Sequence, residues 1–193
     1  MKKYLLAIRF DPLLSALNFM KSHWQVLLCL GMIAGIGRVI QLGGFGAVSG
    51  TVHVILEILI EASRISILLF VIGIANVKNG LRHIVALFSG KIAVRSYLRT
   101  AWHKLKLRGI DVLVSFVAFL VIAGAINMLI DQLAYETCLY LSLKREGVLV
   151  DTSSEWTIIL FFKNLSVIPI TLVFETVLLL WLVNKWPARR QHV

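Results

Sequence analysis

The sequence predicts an all-α protein that crosses a membrane four times, with its N- and C-termini on the cytoplasmic side. Its 193 residues are 59% hydrophobic and 16% charged, whereas soluble domains are about half apolar and about a quarter charged. The apolar residues are concentrated in four long runs, and basic residues are concentrated in alternate connecting segments. A net charge of +10 would indicate nucleic-acid binding in a soluble protein. Here the basic residues flank apolar runs, so membrane topology and anionic lipid headgroups explain them, and no nucleic-acid partner is predicted.

Four runs meet the ~20 residues that a helix needs to cross the hydrocarbon core. They cover about 24–42, 51–75, 110–131 and 156–186. A glycine-rich turn at 43–46 joins the first two into a tight helical hairpin. We interpret 1–193 as a single membrane domain.

Orientation follows from the positive-inside rule. Four Lys or Arg residues precede the first span, eight lie in 76–109, and three follow at the C-terminal end of the chain. The 43–50 turn has none, and the segment between the third and fourth spans has only Lys144 and Arg145. This alternation predicts cytoplasmic termini and a multi-pass protein of the cell (inner) membrane.

Two segments on the inner side are predicted to be interfacial. Asp11-Pro12 suits a helix start, so 12–22 is expected to be a helix leading into the first span. The segment 78–108 is expected to form two amphipathic helices hinged near Ser89-Gly90. An apolar face bearing tryptophan beside a basic face is typical of a helix in the headgroup layer. The residues predicted to contact anionic headgroups are Lys91, Arg95, Arg99, Trp102 and Lys106.

The last two spans are predicted to form a long hairpin whose tip, 132–155, projects from the outer face and carries several acidic residues. Thr152 and Glu155 have the spacing of a capping box, which predicts the start of the fourth helix. Pro169 is expected to kink that helix because it cannot donate a backbone hydrogen bond.

Polar and ionisable residues inside the spans are the candidate site, because each charge costs about 2.5–3.5 kcal/mol near the centre of a membrane helix. They are Arg38, His53, Glu57, Glu61, Arg64, Asn127, Lys163 and Glu175.

Four of these residues, at positions 53, 57, 61 and 64, share one face of the second span. Measured from the glycine turn, Arg38 and Glu57 lie at similar depths, so Arg38 is expected to pair with Glu57 or Glu61. Glu175 lies deeper and is a candidate partner of Arg64. Gly31 and Gly35 are predicted to let a neighbouring helix approach closely.

Three interpretations of the polar residues are open. The charges neutralise one another and hold the bundle together, or they form a proton or ion path, or His53, Glu57 and Glu61 contribute to a metal site. The sequence contains no second His/Glu motif to complete a metal site, so no metal or cofactor is assigned.

Phosphate-binding loops, HExxH, GxSxG and paired-cysteine motifs do not occur, and no enzymatic activity is predicted. The favoured function is a non-enzymatic membrane subunit that assembles with copies of itself or with other membrane proteins. The alternative is an ion or proton channel or proton-coupled transporter, including an oligomeric pore or membrane effector.

Overall fold

The computed structural model describes residues 10–90, 94–137 and 139–187. The fold is all-helical, with 80% of its residues in helices and no strand in these ranges. The helices of the described ranges are α1 (Asp11–Ser22), α2 (Trp24–Gln41), α3 (Gly50–Ile72), α4 (Val77–Phe88), α5 (Val94–Tyr135), α6 (Leu139–Arg145), α7 (Trp156–Leu165) and α8 (Val167–Leu182).

Three helical stretches are long and apolar enough to cross a membrane: α2, α5, and α7 with α8 as one stretch, Trp156–Leu182. A fourth candidate span is obtained when α3 and α4 are counted together, although the two helices meet at a bend of 86°. With 23 residues α3 is long enough alone. However, any stretch of α3 long enough to cross a membrane contains Glu57, Glu61 and Arg64. Its insertion into lipid therefore depends on how these charges are compensated.

The α5 helix combines two predicted elements. It runs from Val94 to Tyr135 with a kink at Arg108, which has non-helical backbone angles (φ −126°, ψ 28°). This break lies where the predicted inner segment ends and the apolar run beginning near Ile110 starts. The predicted hinge is also found, because α4 ends at Phe88 and Gly90 has a φ of 68°.

The fourth predicted span begins at the expected residue, Trp156, but it differs in how that start is capped and in where it ends. The capping-box prediction is wrong, because α7 begins at Trp156 and Glu155 has α-helical backbone angles with no side-chain capping bond. The helix ends at Leu182 instead of 186. An interruption separates α7 from α8 at Ser166 (φ −124°, ψ −74°), three residues before Pro169. A proline ring crowds the carbonyl four residues earlier, here that of Leu165, so the expected distortion lies at the expected place.

The described chain divides into two compact units. Unit I consists of the described residues within 1–22, 68–120 and 173–193, and unit II of those within 23–67 and 121–172. The single-domain organisation stays a prediction.

In unit I, aromatic side chains hold the helices together. The Phe19 ring of α1 packs edge-on against Phe70 and Trp186, with centroids 5.8 and 5.9 Å away. Phe119 of α5 stacks on Phe174 of α8 at 4.1 Å. These three ring contacts join segments that are distant in sequence, so they fix the position of α1 and α8 within the unit.

Trp181 is the centre of a second set of contacts in unit I. The Lys104 Nζ donates hydrogen bonds to the Trp181 carbonyl oxygen (2.5 Å) and to Asn184 Oδ1 (2.7 Å), and it lies 3.7 Å from the centroid of the Trp181 ring. The indole Nε1 of Trp181 donates to Asp11 Oδ2 at 3.2 Å. This cluster, which the sequence analysis did not identify, binds α1, α5 and α8 together.

In unit II, α2 packs against α7. The hairpin tip is tied back to the α2–α3 turn, because Val150 N donates to Gly44 O at 3.0 Å. Tyr140 of α6 is buried and its hydroxyl donates to Ser153 O. Val39, Tyr140, Leu149 and Ile158 form an apolar cluster between these segments. The tip is therefore packed against α2 and α7 of its own unit.

Candidate functional site

The polar face of α3 carries two hydrogen-bonded groups in unit II. The first joins Arg38 of α2 to Glu57 of α3 through both guanidinium nitrogens, with Nη1–Oε2 at 2.8 Å and Nη2–Oε1 at 3.1 Å. This two-pronged geometry is the strong form of an arginine–carboxylate contact. It confirms the Arg38 contact that the depth argument predicted.

Gln41 completes the first group and was missed by the sequence analysis. It is buried, accepts a hydrogen bond from Arg38, and donates from Nε2 to Glu57 Oε2 at 2.6 Å. The same amide lies 3.4 Å from His53 Nδ1 and from His53 O. Gln41 lies one turn after Arg38 on α2, so it shares its face, but an uncharged amide near a helix end gives little signal by itself.

The second group lies about one turn further along α3. Arg64 is ion-paired with Glu61 and its Nη2 donates to Asn164 Oδ1 of α7 at 2.9 Å. Asn164 is fully buried, and its own amide nitrogen donates to Leu160 O at 2.7 Å. Among the described atoms, the buried Nε of Arg64 has no hydrogen-bond partner. Asn164 was the second residue that sequence reasoning missed.

The small residues of α2 bring these helices together. A Cβ added to Gly31 would lie 3.0 Å from Asn164 O, and one added to Gly35 would lie 3.0 Å from the Phe161 ring. Both glycines therefore allow α7 to lie close to the α2 backbone, which is the kind of contact that the sequence analysis expected of them. On the α3 side, Ser63 Oγ donates to Leu30 O of α2 at 2.6 Å.

The other predicted members do not join the two groups in unit II. Lys163 pairs with Asp131, but the distance is 3.7 Å and about half of the Asp131 side chain is exposed. Asn127 donates to Ala123 O of its own helix. Glu175 belongs to unit I and is exposed, so its pairing with Arg64 stays a prediction.

The charges of the two groups are balanced, and their exposure is uneven. Arg38 and Arg64 side chains are mostly covered, whereas 42% of the Glu57 and 46% of the Glu61 side-chain surface is exposed. His53 is exposed as well. The guanidinium groups of Arg38 on α2 and Arg64 on α3 are thus mostly covered, whereas the two carboxylates of α3 lie partly at the protein surface.

The metal interpretation has no geometric support in the described residues, since no three His, Cys, Asp or Glu side chains among them are grouped so as to hold a metal ion.

The predicted headgroup residues lie on α5 where the structure describes them. Arg95, Arg99, Trp102 and Lys106 are exposed, and Lys91 lies outside the described residues. The side of this helix that packs within unit I is instead the side of Lys104.

No protein-family model, curated protein or solved structure matches the chain.

Proposed function

We propose that this chain is a non-enzymatic integral membrane subunit that assembles, with copies of itself or with other membrane proteins, through the exposed face of α3. The observation that carries the proposal is the exposure of nearly half of the Glu57 and Glu61 side chains on a helix of membrane-spanning length. An ionised carboxylate in contact with lipid is unfavourable by about 2.5–3.5 kcal/mol near the helix centre. Arg38 and Arg64 reduce this penalty without covering the carboxylates.

A polypeptide neighbour would cover them. Beside the carboxylates, α3 exposes the apolar side chains of Val54, Ile58 and Ile65. Branched apolar residues next to hydrogen-bonding groups are a suitable contact surface for another membrane helix, because van der Waals packing and interhelical hydrogen bonds drive association in lipid. The balanced charge of each Arg–Glu pair means that the neighbour requires no compensating charge.

The topology belongs to the same proposal. Basic residues in alternate connecting segments support cytoplasmic termini and insertion in the cell (inner) membrane. The exposed Arg95, Arg99, Trp102 and Lys106 support contact of the inner part of α5 with anionic headgroups.

Cysteine cross-linking tests the contact surface. In a background with Cys29→Ala and Cys138→Ala, Ile58→Cys places a thiol on the exposed face of α3, and Val121→Cys is its control on α5. The two positions are equally exposed in the protomer, at 65% and 67%. We expect oxidation in membranes to link Cys at position 58 to a second copy or to a partner protein, and position 121 to react less. Equal cross-linking at both positions, or none at position 58, would contradict the proposal.

A proton or ion path is the second candidate function. It is favoured by the hydrogen-bonded series His53, Gln41 and Glu57, which reaches the surface at both His53 and Glu57. In proteoliposomes, Glu57→Gln would then abolish flux while the protein remains folded. Unchanged flux from this variant, or no flux from the unmodified protein, would reject the path.

A further inference from the structure

We infer that α4 lies in the plane of the membrane surface, with its apolar face inserted among the headgroups of anionic lipids. The inference concerns a different segment from the α3 contact, and it rests on the proposed function only in assuming that α3 spans the bilayer.

The first observation is the length of α3. Its 23 residues extend about 35 Å at ~1.5 Å per residue, which exceeds the ~30 Å of hydrocarbon. The crossing is therefore complete at Ile72, and α4 is not needed to finish it. Because α4 is turned by 86° from α3, a helix that follows a spanning α3 runs along the surface.

The second observation is that the corner between the helices is fixed by close packing. Ile74 and Ala75 both have positive φ angles, 45° and 69°, which are unfavourable for a β-branched residue such as isoleucine. A Cβ added to Gly80 would lie 1.9 Å from Leu69 O, so α4 touches the backbone of α3 there. Asn76 caps α4 by accepting a hydrogen bond from Asn79 N at 3.1 Å. Strain of this kind persists only where surrounding contacts hold it.

The third observation is the surface of α4. Val77, Leu81, Val85 and Phe88 lie on one face and are all exposed, and Phe88 is 89% exposed. Only Gly80 of this helix is buried, so the apolar face is not the face that packs against the protein.

Lys78 and Arg82 border the apolar face and are exposed. A wide apolar face edged by basic residues matches the boundary between acyl chains and anionic headgroups, where such a helix inserts by about 5–10 Å. Each basic residue near an anionic surface adds about 1 kcal/mol of attraction. This charge complementarity selects a lipid surface as the occupant in preference to the apolar side of another protein.

Spin labelling of single cysteines tests the inference on the full chain in vesicles of phosphatidylcholine with phosphatidylglycerol. With Cys29 and Cys138 replaced by alanine, labels are placed at Leu81, Val85 and Phe88, and the controls are Asn79 and His83 on the polar face. Accessibility to oxygen, which partitions into lipid, is compared with accessibility to a water-soluble nickel complex. We expect a several-fold higher oxygen-to-nickel ratio at the three apolar positions than at the controls.

Equal ratios at all five positions would overturn the inference, because α4 would then be surrounded by water. Protection of the apolar positions from both reagents would also overturn it, since a protein would then cover the face. In vesicles of phosphatidylcholine alone we expect the difference to shrink, and an unchanged difference there would refute the role of anionic lipid. Cross-linking at Ile58 reports the α3 contact separately, so its failure and a failure at α4 are distinguishable.

Discussion

Arg38 and Glu57 are expected to be energetically coupled, and a double-mutant cycle measures that coupling. Glu57→Leu leaves the Arg38 guanidinium without the carboxylate that binds it at 2.8 and 3.1 Å. Breaking a fully buried pair costs about 3–5 kcal/mol. Since 42% of the Glu57 and 20% of the Arg38 side chain is exposed, we expect a smaller loss of unfolding free energy, of about 1–3 kcal/mol.

The double variant Arg38→Met with Glu57→Leu removes both charges and should recover much of this loss, because no unpaired ion is left in the membrane. The free energies are measured by equilibrium unfolding in mixed detergent micelles, and the coupling is the deviation from additivity. We expect a coupling of at least about 1.4 kcal/mol, a tenfold effect on the folding equilibrium constant.

A control cycle pairs Glu57→Leu with Arg145→Met, an exposed basic residue of the same unit. Its two changes should add, because the hydrogen-bonding partners of Glu57 are Arg38 and Gln41. If the Arg38–Glu57 cycle is additive within about 0.5 kcal/mol, as expected for independent sites, the pair does not stabilise the bundle and the reasoning fails.

Two further variants test the packing within unit I. Gly80→Ala should destabilise the protein by about 1–3 kcal/mol or more, because its Cβ would meet Leu69 O. The control Gly124→Ala has open space around it and should be neutral or stabilising by up to about 1 kcal/mol. Equal thermal stability of the two variants would contradict the close packing of α4 against α3. Trp181→Phe should lower the free energy of unfolding by about 1 kcal/mol, because it removes the indole hydrogen bond to Asp11. In an Asp11→Ala background, equilibrium unfolding should show a smaller loss from the same substitution. An undiminished loss there would rule out that hydrogen bond as the cause.

The membrane itself explains why part of the site could be predicted from sequence. Charged side chains in lipid must find partners, and the short glycine turn between α2 and α3 sets which depths face each other. Spacing along α3 and distance from the turn therefore sufficed to bring Arg38 to Glu57. The same reasoning placed Gly31 and Gly35 at a helix contact, because only small residues allow close backbone approach.

The remainder of the site depends on side chains that carry no net charge. Gln41 and Asn164 are central to the two groups, but an amide is tolerated in many environments and does not have to pair. Their roles become visible only when the contacts of α3 with α2 and with α7 are known.

Of the two predictions about helix breaks and starts, the interruption caused by Pro169 was found and the capping box at Thr152 was not. Proline acts through its own covalent geometry, so the interruption at Ser166 was expected from Pro169. The capping box failed because the helix starts at Trp156, after both Thr152 and Glu155, and the Glu155 side chain makes no capping bond. The Trp181 cluster joins three segments distant in sequence, so no local pattern indicates it.

The proposed assembly is tested by the mass of the protein purified from its membrane in mild detergent. The chain itself has a mass of 21.6 kDa. We expect a protein mass that is a multiple of this value, or one that includes a second membrane protein in fixed ratio. Glu57→Leu should lower the fraction of assembled particles, whereas Arg145→Met should not. A strictly monomeric species without a partner, in detergent and in lipid nanodiscs alike, would contradict the proposed assembly.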